Sequence, residues 1–247
     1  MKDAILAALA AVRNGYSLCG VVDRRGRVYP LGFDTRVISM LFEIVARQAV
    51  ASYAQDAGLT VVEPDQQNYY PDFTLMRNAG DRAKIAIDVK STYRKHERDQ
   101  FNFTLGSYTS YIHPQTESKN IVFPYRDYRE HWVIGFVYQR GEGQRSSAAA
   151  IYSTATLATV PIPFDGVEVF MQEKWRIAGD RSGSGNTANI GSIKGTLQDF
   201  VAGRGIFASE DEFLAYWRGY KRTAGQRAKA YSNINQFRAL LPDRGDA

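Results

Sequence analysis

From Lys84 to Lys90 the chain alternates, so Ile85, Ile87 and Val89 fall on one face of a strand and Ala86, Asp88 and Lys90 on the other. Asp88 and Lys90 therefore project to the same side, roughly 7 Å apart by the rise of a strand. Phe73 to Met76 predicts a second strand, and Arg77-Asn78-Ala79-Gly80-Asp81 supplies the reversal between the two. A turn centred on Gly80 sets residue 72, which is Asp72, opposite Asp88. Two carboxylates and an ammonium then meet at the open end of a hairpin. Paired carboxylates repel, and one keeps its proton unless a hard divalent cation such as magnesium lies between them. Such an ion polarises a phosphoryl oxygen and lowers the pKa of a water, while Lys90 could orient that water or offset charge developing on phosphate. Phosphodiester hydrolysis needs these parts. A surface hairpin carrying a solvated ion pair has the same spacing, and Asp-Xaa-Lys alone does not separate the two.

The hairpin has to be held by longer elements. Asp34 is a good N-cap for a helix that Gly58 could end, with Val37, Leu41, Val45 and Ala49 on its expected buried stripe. Arg36, Ser39, Glu43 and Arg47 fall on another stripe, where Glu43 either faces the site or pairs with Arg47 one turn on. Thr60 to Glu63 predicts a short strand, and the polar loop Pro64-Asp65-Gln66-Gln67-Asn68 leads into Asp72. Asn120 to Pro124 and Trp132 to Tyr138 read as buried strands, and Gly166 to Ile177 as another. Phe101 to Ile112 fits no one state. Near the N-terminus, Asp3 to Asn14 predicts a helix and Ser17 to Val22 with Arg27 to Tyr29 a hairpin. Ser209-Glu210-Asp211-Glu212 predicts a capped helix start, and a break at Gly225 precedes a last helical stretch to Leu241.

Longer stretches carry more information than the short motif. Pro71-Asp72 followed sixteen residues later by Asp88-Val89-Lys90 resembles the signature of the PD-(D/E)xK nuclease superfamily. Gln66 to Leu75, Ala178 to Ile193, Ile206 to Leu214 and Tyr216-Trp217-Arg218 are similar, in order and along nearly the whole chain, to a family of type II restriction endonucleases. The resemblance implies an α/β restriction-endonuclease-like fold, with a central mixed β-sheet flanked by helices, forming one nuclease domain over 1–247. Within it a dimerisation subdomain is expected from about 17–32 and 149–162, beside a basic C-terminal region, 209–247.

The same resemblance implies magnesium bound by Asp72 and Asp88, with Glu43 a third acidic group and Lys90 catalytic. It implies a homodimer on double-stranded DNA, cutting the palindrome GATATC at its centre to blunt ends with 5′-phosphate and 3′-hydroxyl. It matches Gly183-Ser184-Gly185-Asn186-Thr187 to the family's base-reading loop, although its composition by itself suits a flexible surface loop. Gln66, Gln67, Asn68, Arg36, Thr92, Tyr93, Arg222 and Arg227 are the further expected DNA contacts, and a cognate methyltransferase is expected alongside. Two positions depart from the pattern, since Arg36 stands where lysine is expected and Tyr69 where histidine is. A repair or junction-resolving nuclease and a non-catalytic DNA-binding protein are the alternative readings.

Composition bounds these readings loosely. A chain of 247 residues with 44% hydrophobic residues can build a sizeable core. The net charge is +5, and residues 218 to 247 hold seven basic residues against two acidic, so the excess is matched by the tail alone. Cys19 is the single cysteine and forms no intrachain disulfide; it reads as a small buried side chain. His96, His113 and His131 lack zinc-site spacing. No apolar run approaches 18 residues and no cleavable signal pattern opens the chain, so a cytoplasmic protein without a membrane partner is expected.

Overall fold

The structure, a computed structural model, describes residues 1–10, 18–94, 99–141, 150–183 and 188–241. Its centre is a five-stranded mixed sheet in the order β3 (Thr60–Val62), β4 (Phe73–Met76), β5 (Lys84–Arg94), β7 (Tyr128–Arg140) and β9 (Phe164–Glu173). β5 and β7 run parallel, and every other neighbour pair is antiparallel. The parallel pair sits in the middle and is covered on both faces, as parallel strands require. Side chains of β7 alternate between two cores. Ile134, Phe136 and Tyr138 enter one, and Val133 and Val137 the other. Gly135 lies between them because the ring of Phe170 on β9 fills its side-chain space, so a Cβ there would come within 2.2 Å of that ring.

One core is closed by α2 (Thr35–Asp56), whose first turn is capped by Asp34 accepting from the Arg36 amide. The buried stripe of α2 is Ile38, Phe42, Ala46, Ala49, Val50 and Ala54, one residue further on than Val37, Leu41 and Val45, which are only half-buried. Packing decided the shift. Phe42 stacks on Phe136 at 4.6 Å and tilts against Tyr138 and Phe164, an anchor whose loss would cost about 3–5 kcal/mol. By length and composition α2 could cross a membrane, contrary to the expectation that no segment approaches that, but its apolar stripe is seated on the sheet. α1 (Lys2–Ala8) packs Ile5 and Leu9 into the same core, and the end of the expected helix, 11–14, lies outside the described residues.

The other core is aromatic. It is closed by a small sheet of β10 (Ala178–Ser182), β11 (Asn189–Ser192) and β6 (Thr104–Ser107), and by α3 (Leu197–Ala202), α4 (Glu210–Gly219) and α6 (Ile234–Ala239). The glycine-rich segment is thus partly a hairpin, and the stretch left undecided supplies β6. Asn120 to Pro124 is not a strand. It makes a single bridge, Ile121 to Tyr70, because Asn120 turns the chain with φ 57°. Gly225 lies inside a short helix, α5 (Ala224–Ala228), and the chain breaks on both sides of it, at 220–223 and 229–233. A separate sheet joins β1 (Gly20–Val22), β2 (Arg27–Pro30) and β8 (Tyr152–Ser153). Cys19 beside it is free and half-buried rather than buried.

Candidate active site

Register brings the two aspartates together. Phe73 pairs with Ile87, Thr74 with Ala86 and Leu75 with Ile85, so one step further along the ladder lies Asp72 against Asp88. On the far side of β5, Asp88 pairs with Val133 and Lys90 with Gly135. Asp88 is 4% exposed. Its Oδ2 stands 2.7 Å from Lys90 Nζ, a charge contact poorly directed for hydrogen bonding, so that buried oxygen makes no hydrogen bond. Lys90 Nζ donates instead to the Val89 carbonyl at 3.1 Å, and Asp72 Oδ2 accepts from the Val89 amide at 2.6 Å.

Burial, and then the charge of Asp88, push the Asp72 carboxyl up to about 7; Lys90 and the Val89 amide offset only part of this. Burial opposes the charge on Lys90, yet Asp88 and Asp72 hold its pKa above the ordinary lysine value. These groups are short of positive charge. Two hard carboxylates at neighbouring strands, one with a buried oxygen that only the Lys90 ammonium reaches, suit a divalent cation of the magnesium type, which takes one or two protein carboxylates and fills its remaining positions with water and phosphate.

The third expected acid, Glu43, comes from α2 rather than from the hairpin. Glu43 lines the same cleft from α2, but its carboxylate lies 3.8 Å from Arg47, and among the described residues no group of three His, Cys, Asp or Glu side chains could hold an ion. Glu43 is near enough for its charge to act on both Asp72 and Lys90, while Arg47, which makes the looser contact with Glu43, is bonded to Glu63 at 2.8 Å.

The site opens onto two cavities. The larger, about 1150 Å³, is lined by Asp72, Lys90, Glu43, Arg36, Gln67, Thr92 and Tyr93, all singled out in the sequence. Ser39 also lines it and bonds Ser91 on β5 at 2.7 Å, tying helix to strand at the rim. The smaller, about 390 Å³, reaches Asp72, Asp88 and Lys90 past Asn68, Tyr69 and Tyr70. Gln66 is exposed outside both. Arg222 and Arg227 stand away from this cleft, in the C-terminal region; Arg227 lies over the Tyr220 ring at 5.4 Å and lines a cavity of about 350 Å³ with Arg181. Gly183 is buried against Thr104, whereas Ser184, Gly185, Asn186 and Thr187 lie outside the described residues.

Sequence reading missed what stands behind the aspartates. Tyr70 stacks on Tyr111 at 4.5 Å, its hydroxyl bonds His131 Nδ1 at 2.8 Å, and Lys174 covers its ring. Nothing in the spacing of these residues signals that they meet, because four separate segments supply them.

A mixed sheet presenting a carboxylate pair and a lysine at the floor of an open cleft defines a nuclease of the restriction-endonuclease type. The family model for the restriction endonuclease EcoRV matches residues 12–241, and the chain belongs to that family. It is 48% identical over 238 residues to the type II restriction enzyme EcoRV of Escherichia coli, covering 96% of each chain. It is accordingly a type II restriction endonuclease, a site-specific deoxyribonuclease whose partner is double-stranded DNA. Among solved structures it is similar to the NlaIV restriction endonuclease, with TM-score 0.44, 12% identity, and coverage of 92% of this chain and 82% of that one.

Proposed function

We propose that this enzyme is a magnesium-dependent homodimer that cuts GATATC at its centre, leaving blunt ends with 5′-phosphate and 3′-hydroxyl. The observation that carries the reading is the meeting of Asp72, Asp88 and Lys90 beside an open cleft of about 1150 Å³. Asp72 and Asp88 would hold magnesium, with Glu43 in an outer acidic role. Bound there, the ion would polarise a phosphoryl oxygen and ease deprotonation of water. Lys90 places its ammonium beside the scissile phosphate and offsets the charge that develops as water attacks phosphorus and the 3′ oxygen leaves. The amide of Val89 fixes Asp72 in the orientation that serves this step.

Sequence would be read by Gly183, Ser184, Gly185, Asn186 and Thr187, with Asn186 paired to adenine N6 and N7 and the Thr187 methyl against thymine. Gln66, Gln67 and Asn68 would enter a groove from the other side of the site, while Arg36, Thr92, Tyr93, Arg222 and Arg227 meet backbone phosphate. Arg36 and Tyr69 alter two contacts relative to the family pattern. A two-fold dimer suits a palindrome. The β1-β2-β8 sheet supports it, because Val21, Val22, Tyr29 and Ile151 leave apolar side chains exposed on and beside that sheet. The enzyme would work in the cytoplasm, beside a methyltransferase that protects host copies of the same hexamer.

A digest of duplexes, each with one base pair of GATATC changed, tests the reading. In magnesium the intact hexamer is cut to blunt ends, each change suppresses cutting, and the protein sediments near twice 27.7 kDa. Asn186→Ala abolishes that preference while weak, salt-sensitive binding persists. Cutting of all duplexes alike, staggered ends or a monomeric species overturns the corresponding part of the proposal.

A further inference from the structure

Lys174, directly after β9, is 2% exposed, and among the described residues it makes no ion pair. A buried ammonium ordinarily has a carboxylate partner or is capped by carbonyls. Lys84 shows the second solution, for it is equally buried but donates to the carbonyls of Ala79 and Asp81. Lys174 has neither. Its Nζ lies 4.2 Å from the centre of the Tyr70 ring and 5.6 Å from that of Tyr111, with one long hydrogen bond, 3.4 Å, to the Tyr111 hydroxyl. Tyrosine faces recover part of what the ammonium loses on leaving water. Burial accordingly pulls its pKa down to about 8, with Asp88 acting in the opposite direction.

The surroundings explain where such a charge would act. Tyr70 is the residue before Pro71-Asp72, and its backbone is bonded to Asn120 O and Val122 N at 3.0 and 2.8 Å. Its hydroxyl bonds His131, whose carbonyl accepts from the Lys174 amide at 2.8 Å, so lysine, tyrosine and histidine form a closed ring of contacts. Between the ammonium and the smaller cavity at the aspartates stands Gly106, where an added Cβ would lie 3.6 Å from Nζ.

We propose that Lys174 is a positioning residue for the aspartate pair, whose ammonium pins Tyr70 and thereby the turn into Asp72, and offsets from beneath the repulsion between Asp72 and Asp88. The inference rests on the nuclease reading of that site. It also accounts for a stability cost accepted at a functional site, since an ammonium held behind Tyr70 keeps the aspartate pair placed to receive a divalent ion.

Lys174→Met keeps the length and apolar stem and removes the charge, and Lys174→Arg keeps the charge. Without metal or DNA, Lys174→Met unfolds at a midpoint equal to or higher than wild type, because an unpaired buried charge is gone. Its single-turnover cutting in magnesium falls by at least about ten-fold, as expected when a reacting group loses its placement, while its metal-free affinity for DNA is unchanged. Lys174→Arg recovers part of the rate. Two results overturn the proposal: Lys174→Met cutting at the wild-type rate, or losing stability together with activity, which makes the ammonium a structural tie. Wild-type protein that cuts no DNA instead overturns the nuclease reading, and the positioning role with it.

Discussion

Asp72 and Asp81 stand at opposite ends of one hairpin, and their carboxyls are driven in opposite directions. Asp81, at the turn, accepts from the amides of Arg77 and Ala83 at 3.1 and 2.8 Å, and these bonds hold its pKa below the usual carboxylate value. Asn78 caps the Gly80 amide and Lys84 donates to the carbonyls of Ala79 and Asp81, so these turn groups have partners. At the open end, Asp72 has one amide for its buried carboxyl, Asp88 keeps an oxygen without a hydrogen bond, and one lysine serves both. A turn is stable when its polar groups are satisfied; a site that must take up an ion and a phosphate keeps donor capacity unspent.

Substitutions at the open end should therefore cost activity, and at the turn only stability. Asp88→Ala has the largest expected effect, a loss of cutting in magnesium of about three orders of magnitude or more, with metal-free DNA affinity kept or improved as a negative charge near phosphate disappears. Single-turnover rates beside binding isotherms check it, and near-normal cutting removes Asp88 from the site. Lys90→Ala comes next, lowering the chemical step by about 10²–10³-fold and DNA affinity much less, since its charge matters most where negative charge develops. An unchanged rate with collapsed affinity would make Lys90 an anchor only.

A smaller effect compares the two ends directly. The carboxyl of Asp72 rises from 3.8 to about 7 on folding, so its ionisation weakens the metal-free fold above that pH and not below the unfolded value. Asp72→Asn should thus stabilise the metal-free protein by about 1–3 kcal/mol near pH 8, and the gain should vanish by about pH 4. Asp81→Asn should do the reverse. Its depressed pKa contributes stability at neutral pH that is lost as pH falls through the folded value, so the variant unfolds slightly earlier at pH 7 and matches wild type in acid. Thermal melts across pH measure both, and parallel curves for the two variants would erase the distinction between the ends.

The pairing of Asp72 with Asp88 was legible because strand register is arithmetic: a turn centred on Gly80 fixes every partner by equal distance along the chain. The Asp34 cap and Gly58 exit of α2 were legible for the same local reason, since caps depend on the nearest backbone groups. Alternation placed Ile85, Ile87 and Val89 toward one core and Ala86 toward the other, as the structure has them. Tertiary packing decided what local rules leave free. Phe42 rotated the buried stripe of α2 by one residue to meet Phe136, and the seating of that helix set Glu43 in the cleft beside Asp72 and Lys90. The setting of Lys174 among Tyr70, Tyr111 and His131 lay beyond any reading of the chain, because those four residues come from segments up to about a hundred positions apart and no periodicity links them. Local sequence determined which groups the hairpin presents; how many charges surround them, and how far each is from water, followed only from what the folded chain laid over and beneath it.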